Sequence, residues 1–155
     1  MPAQAQHELV LTELLDAPRE KVFRCWTEPA LVQRWFAPRP GTTPVAEVDV
    51  RAGGASNIVM RSPEGQDMPN PGVFLEIVPN RKIVFTDAFS PGWRPAGKPF
   101  MVAEITLEDA PGGKTKYTAR AMHWNEETKR QHEEMGFFQG WAICAKQLEE
   151  VAKSI

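Results

Sequence analysis

The chain has 155 residues, 42% of them hydrophobic and 25% charged, which is the composition of one globular domain large enough to bury a core. Its 18 basic and 20 acidic residues are spread along the chain and give a net charge of -2, which argues against a nucleic-acid-binding surface. The first residues lack the basic and apolar run of a signal peptide, and no apolar stretch is long enough to span a membrane. We therefore predict a single domain, residues 1–155, that is cytoplasmic and has neither a membrane nor a nucleic-acid partner.

The first part of the chain predicts a strand followed by two short helices. Residues 7–15 alternate, imperfectly, between polar and apolar side chains, as a half-buried strand does. Pro18 and Pro29 each suit the first turn of a helix, because the N–H that proline lacks has no partner there. Cys25 falls in the first of these helices and Cys144 in the last predicted helix, which favours two free thiols over a disulfide.

The middle of the chain predicts an antiparallel meander. After residues 38–41 (PRPG), clusters of Pro and Gly recur at short intervals and mark turns. The segments between them are short and rich in β-branched and aromatic residues, without an intervening helix, so successive strands are expected to pair antiparallel. The six predicted strands are 44–50, 55–61, 72–78, 82–89, 100–108 and 115–124.

The last thirty residues predict one long amphipathic helix. It begins near Asn125, whose side chain suits the N-cap position, or at Thr128 as an alternative capping residue. Apolar residues then recur every three or four positions to the end of the chain, with charged residues opposite them. Gly136 and Gly140 interrupt this pattern, each at a cost of about 1 kcal/mol relative to Ala. Either the helix packs very closely there, or the missing side chains leave space for a bound molecule.

Together these elements predict an α+β fold in the order β-α-α-β6-α. A curved antiparallel sheet of seven strands would be covered on one face by the long C-terminal helix, with two short helices forming a corner.

Seven short motifs occur in this order over nearly the whole chain. They are 17–23 (APREKVF), 26–29 (WTEP) with Trp35 and Phe36 beyond it, 48–54 (VDVRAGG), 60–65 (MRSPEG), 72–77 (GVFLEI), 82–86 (KIVFT), and Gly140 with Trp141. In this order and spacing the chain resembles the START-like (SRPBCC, helix-grip) superfamily, and within it the family called activator of heat-shock protein 90 ATPase homologue-like.

The resemblance implies a fold and a place to look for a site. Members of the superfamily share an apolar cavity between the curved sheet and the long helix. They include lipid and hormone carriers, polyketide cyclases and a co-chaperone domain, so the fold does not define one function. The family supplies no catalytic motif to carry over to this chain.

Aromatic residues are the main candidates for lining such a cavity. The chain has five Trp and eight Phe but only one Tyr, so most of its aromatic surface suits an apolar environment. Each of these residues has the alternative of being ordinary core, but several around one pocket form the default hypothesis for a site. The loop 90–99 would be its lid. The predicted cavity residues are Trp35, Phe36, Phe85, Asp87, Phe89, Trp93, His123, Phe138 and Trp141.

Two of these residues are polar and are the candidates for catalysis. His123 inside an apolar cavity would orient a carbonyl or exchange a proton near neutral pH, or else be hydrogen-bonded within the core. Asp87 has the alternatives of pairing with an arginine or closing a turn. The three histidines are far apart in the predicted elements, so neither a metal site nor a cofactor is expected.

Three functions remain open from the sequence. The first is binding of a hydrophobic, aromatic or lipid-like small molecule under the last helix. The second is an enzyme of the polyketide cyclase or hydrolase type, in which His123, Asp87 or Glu104 acts on a substrate in the same cavity. The third, which the family name suggests, is a partner of a heat-shock protein 90 chaperone. Exposed sheet edges would also allow a homodimer.

Overall fold

The computed structural model of the protein describes residues 7–155. Its helices are α1 (Arg19–Thr27), α2 (Pro29–Val32), α3 (Glu126–Glu134) and α4 (Phe137–Ser154). Its strands are β1 (Glu8–Leu15), β2 (Thr42–Val48), β3 (Ser56–Arg61), β4 (Asp67–Asn70), β5 (Val73–Val78), β6 (Lys82–Thr86), β7 (Phe89–Ser90), β8 (Arg94–Pro95), β9 (Val102–Ala110) and β10 (Lys114–Met122).

The strands form one large antiparallel sheet and two small ones. The large sheet has the order β1-β10-β9-β6-β5, and a second sheet has the order β2-β3-β4. Backbone hydrogen bonds of 2.8 and 2.9 Å join Gly53 and Gly54 to Phe74 and so connect these two sheets. Strands β7 and β8 form a hairpin of their own. The predicted α+β fold, antiparallel and closed by a long C-terminal helix, is confirmed.

The sheet itself differs from the prediction of seven strands in one sheet. All seven predicted strands are present, but they divide between the two larger sheets, and β4, β7 and β8 were not predicted. Strand β4 contains Pro69 and is exposed throughout, so it has no alternation of buried and exposed residues to reveal it. Strands β7 and β8 have two residues each, too few for any periodicity.

The large sheet buries one face under α4. Ile83, Ile105 and Ala119 lie opposite one another on three adjacent strands, and all three are buried. Residues of α4, among them Leu148 and Ala152, are buried in the same core cluster. The core therefore lies between this inner face of the sheet and the C-terminal helix.

The helical corner fills one end of this core with aromatic rings. Trp26 and Trp35 meet edge to face with their ring centroids 4.9 Å apart. Their indole N–H groups donate to the Tyr117 hydroxyl at 3.1 Å and to the carbonyl oxygen of Cys25 at 2.8 Å. Both indole N–H groups thus have a hydrogen-bond acceptor, which allows the two tryptophan side chains to be buried.

The predicted single C-terminal helix is two helices, and this corrects the prediction. Asn125 does cap α3, its side chain accepting from the backbone N–H of Thr128 at 2.8 Å. The chain then breaks at Gly136, whose φ of +92° is left-handed and favours glycine. The apolar stripe begins only at this break, because α3 buries a single side chain. None of the helices described between residues 7 and 155 is long and apolar enough to cross a membrane.

Candidate functional site

An opening to solvent lies on the inner face of the large sheet at Phe85. Its neighbours in register on both sides are Phe74 of β5 and Ala103 of β9, which are 1% and 0% exposed. The Phe85 ring also contacts Trp26, with centroids 5.6 Å apart, so the side chain points inward. Phe85 is nevertheless half-buried only. Phe85 is therefore partly accessible on the inner face of the sheet although its neighbours on both adjacent strands are covered.

A connected ring of half-buried side chains surrounds this opening. Phe36 also contacts the Trp26 ring, at 6.0 Å between centroids. The Cys144 thiol donates to the carbonyl oxygen of Phe36 at 3.3 Å, and Trp141 lies one turn earlier on α4. Each of these residues packs against the same core cluster as Phe85 without being fully buried. We call the space bounded by Phe36, Phe85, Gly140, Trp141 and Cys144 the inner-face groove.

Gly140 widens the groove on the side of α4. It lies one turn before Cys144 and two turns before Gln147, on the flank of the helix that contacts residues 35–39. A Cβ added at Gly140 would meet no heavy atom within 4 Å, apart from the helix backbone and the chain neighbours. The sequence left two interpretations of Gly136 and Gly140, close packing or open space. At Gly140 close packing is therefore wrong, and the missing side chain leaves open space. Gly136 instead serves the break between α3 and α4.

The loop 35–39 faces α4 and is held there by Gln147, a buried glutamine of α4 that sequence reasoning missed. The Gln147 amide group donates to the carbonyl oxygens of Trp35 and Ala37 at 2.9 and 2.8 Å, and its Oε1 accepts from the N–H of Arg39 at 2.9 Å. One side chain thus pairs three backbone groups of a loop that has no partner strand. The sequence signal was a polar residue within the apolar stripe of the helix.

The predicted lid is the β7–β8 hairpin. Phe89 and Trp93 contact edge to face within it, at 5.8 Å between centroids, and the Trp93 side chain is 51% exposed. A Cβ added at Gly53 would lie 3.1 Å from the indole, so the Trp93 ring lies close over the β2–β3 connection. The hairpin therefore extends from the large sheet to the connection between β2 and β3.

Asp87 closes the base of this hairpin. Its carboxylate accepts from the backbone N–H groups of Phe100, at 2.8 Å, and Met101, at 3.2 Å. The Thr86 hydroxyl donates to the carbonyl oxygen of Met101 at 2.8 Å. This is the geometry of the turn-closing alternative, in which the carboxylate oxygens are occupied by backbone donors.

His123 belongs to a buried pair with His132, so the prediction that the three histidines lie far apart is wrong. Nε2 of His123 lies 2.9 Å from Nδ1 of His132, and Nδ1 of His123 lies 3.1 Å from the carbonyl oxygen of His7. Burial lowers the pKa of His123, and burial followed by the charge of His123 lowers the pKa of His132 to about 4. The Trp141 ring lies between this pair and the groove, 5.8 Å from the His132 ring.

Other predicted residues lie away from the groove. Trp35 is part of the core, and Phe138 is on the exposed side of α4. Glu104 alternates with the inward-facing Ala103 and Ile105, so it lies on the outer face, where it pairs with Arg120 at 3.0 Å. This contradicts a role for Glu104 inside the cavity.

The two best-defined concavities also lie elsewhere. One, of about 580 Å³, is a depression on the outside of β5, β6 and β9 whose lining includes the charged residues Glu76, Arg81 and Glu108. The other, of about 160 Å³, is lined by Val102, Met122, His123 and Trp124. Neither concavity includes the residues of the inner-face groove. Within residues 7–155, no group of three or more His, Cys, Asp or Glu side chains is placed to hold a metal ion.

A curved antiparallel sheet closed over one long C-terminal helix, with a helical corner after the first strand, defines the helix-grip class of α+β proteins. The chain belongs to the Activator of Hsp90 ATPase homolog 1-like family, whose model matches residues 16–153. It is therefore a member of the START-like superfamily, as the motifs had predicted.

Solved structures of bacterial proteins agree with this assignment. A protein from Nitrosomonas europaea is 40% identical, with a TM-score of 0.93 over 98% of this chain and 97% of that one. A protein from Chromobacterium violaceum is 25% identical, with a TM-score of 0.74 over 93% and 96% of the two chains. A protein from Mycobacterium smegmatis, 19% identical, shares the fold with a TM-score of 0.80 over 94% and 90%. No curated protein matches the chain.

Proposed function

We propose that the protein binds a hydrophobic small molecule, aromatic or lipid-like, in the inner-face groove. The observation that carries this proposal is the exposure of Phe85 on the covered face of the sheet. Each Å² of this inward aromatic ring that stays exposed to water forgoes about 25 cal/mol of hydrophobic stabilisation. A ligand that covers Phe85, Phe36 and Trp141 would recover this free energy.

The polar groups around the groove favour binding over catalysis. Asp87 is occupied by two backbone donors, Glu104 lies on the other face of the sheet, and His123 is bonded at both ring nitrogens. The thiol of Cys144, the polar group nearest the groove, has its pKa raised by burial to about 12 and is protonated at neutral pH. Within residues 7–155 the groove therefore offers aromatic surface, and none of the three predicted acids and bases is free to act in it.

Two further points stay predictions. A cytoplasmic location is supported by the free thiols of Cys25 and Cys144. An interaction with a heat-shock protein 90 chaperone rests on the family description alone, and a homodimer rests on the exposed edges of the sheets.

Filling the groove at Gly140 tests the proposal. We expect Gly140→Leu to weaken binding of the fluorescent aromatic probe anilinonaphthalene sulfonate by at least about tenfold, because a leucine would occupy the open space beside Trp141 and Cys144. Leucine also favours the helix more than glycine does, so the fold is expected to be kept. The measurement is a fluorescence titration of both proteins at neutral pH.

The matched control is Gln139→Leu, which adds the same side chain at an exposed position of the same helix turn. We expect it to bind the probe as the unchanged protein does. Equal loss of binding in both variants, or full binding in Gly140→Leu, would place the probe elsewhere and count against the groove.

A further inference from the structure

Helix α3 buries one side chain, that of His132, and its other side-chain contact with the rest of the protein is a partly exposed one between Glu126 and Nδ1 of His7, at 3.4 Å. The other eight residues of this helix are exposed or half-buried, and none of them is an apolar residue. At its C-terminal end the chain turns at Gly136, in a left-handed conformation that separates α3 from α4. The docking of a polar helix whose one buried side chain is ionisable depends on the protonation state of that side chain.

The hydrogen bonds of the pair define where its protons are. The carbonyl oxygen of His7 can only accept, so Nδ1 of His123 carries a proton and donates to it. Nε2 of neutral His123 is then an acceptor, and Nδ1 of His132 must donate to it. The remaining lone pair is on Nε2 of His132, which is therefore the atom that takes up the next proton.

A proton taken up there would be poorly stabilised. The His132 ring lies against Phe100, Phe137 and Trp141, at 4.9, 5.1 and 5.8 Å between ring centroids. The charged and titratable groups that act on His123 are Lys129 of α3, His7 before β1, and Asp87, of which only Asp87 favours a positive charge. Asp87 is itself bonded to the N–H groups of residues 100 and 101, and Glu126 lies 3.4 Å from His7 at the surface.

We propose that the His123–His132 pair is a proton-operated latch: protonation of His132 releases α3, which turns about Gly136 and uncovers Phe137 and Trp141. Trp141 also borders the inner-face groove, so release would alter the groove. That second consequence rests on the proposed function, whereas the movement of α3 does not.

The direction of the response follows from the two states of α3. In the docked state burial holds the pKa of His132 at about 4, and in the released state the imidazole regains its ordinary pKa near 6.5. The released state therefore binds more protons, and the docked state is fully favoured only above about pH 6.5. Docking weakens as the pH falls below that value, and this loss is complete below about pH 4.

Hydrogen exchange measured by mass spectrometry on the whole protein, without ligand, tests the latch. We expect the protection factors of backbone amides in 126–134, corrected for the intrinsic rate, to fall at least about tenfold between about pH 7 and pH 4.5. Those of β9 and β10 should change much less. In His132→Gln, where an amide replaces the titrating ring, protection of α3 should lose its pH dependence, whereas in His7→Gln it should be kept.

A nitrogen NMR titration of the imidazoles in the unchanged protein keeps the test valid if His132→Gln fails to fold. The latch predicts that His132 takes its proton on Nε2 at the same pH at which α3 loses protection. Constant protection of α3 across this range, or release at a pH at which His132 does not titrate, would overturn the proposal. Because no ligand is present, a failure of the groove proposal would not affect either result.

Discussion

Replacing Phe137 by alanine should lower the free energy of unfolding by about 3–5 kcal/mol, as removal of a fully buried phenylalanine generally does. The ring is 1% exposed and forms a core cluster with Leu9 and Ala121, where the start of α4 meets β1 and β10. Its removal would leave a cavity beneath both Trp141 and His132. Urea unfolding followed by circular dichroism measures the change.

The adjacent residue provides the control. Phe138 is the same residue type in the same helix turn, but it is 38% exposed. We expect Phe138→Ala to cost clearly less than Phe137→Ala, because more than a third of the Phe138 surface is already exposed to solvent. If both variants were destabilised equally, the orientation of the first turn of α4 described above would be incorrect.

The second large effect is expected at Gln147. Changing it to leucine, which has a similar volume, leaves two carbonyl oxygens and one N–H of residues 35–39 without the partner they have in the native fold. Each unpaired buried group costs about 1–3 kcal/mol, and partial access of water to the loop would bring the total to roughly 3–5 kcal/mol. Differential scanning calorimetry would record this as a large fall in Tm.

Gln139→Leu is the matched control for this change as well. Gln139 is exposed on the same helix, so we expect its substitution to change the free energy of unfolding by no more than about 0.5 kcal/mol. A small effect at Gln147 would mean that its amide group is not the main tie between α4 and the loop that carries Phe36.

The sequence predicts the parts of this fold that depend on local periodicity. Imperfect alternation indicated β1, and turn clusters of Pro and Gly between β-branched and aromatic segments indicated the six other longer strands. The three-and-four spacing of apolar residues indicated α4. The cap at Asn125 was also local, since its side chain and the N–H that it accepts are three residues apart. The break at Gly136 was missed, although 126–134 holds no apolar residue and so could not have continued the stripe.

The site was less predictable because it depends on register and on how the chain folds back. His7 and His123 meet only because β1 pairs with β10, Glu8 lying opposite Met122, and His132 reaches them only because α3 turns back over the sheet end. Similarly, Asp87 follows the last residue of β6, so the turn and not the alternation of the strand places its side chain. No pattern within one element contains these relations.

Burial adds a chemical consequence for the interior of the protein. The pKa of the Cys25 thiol is raised by burial to about 11, and that of the Tyr117 hydroxyl is raised as well. Both groups are uncharged over the range in which the histidine pair titrates. A structural change between about pH 7 and pH 4.5 would therefore come from the histidines or from surface carboxylates. The His132→Gln variant distinguishes these two sources, because it removes the titrating ring and keeps the carboxylates.

Native mass spectrometry of the protein purified from its own host, compared with its denatured mass, tests the proposed groove most directly. The account predicts a mass excess that denaturation removes, that belongs to a hydrophobic small molecule, and that Gly140→Leu lacks while Gln139→Leu retains it. An excess of the same mass in Gly140→Leu, or a bound molecule that is polar and charged throughout, would contradict the assignment of the inner-face groove as the binding site.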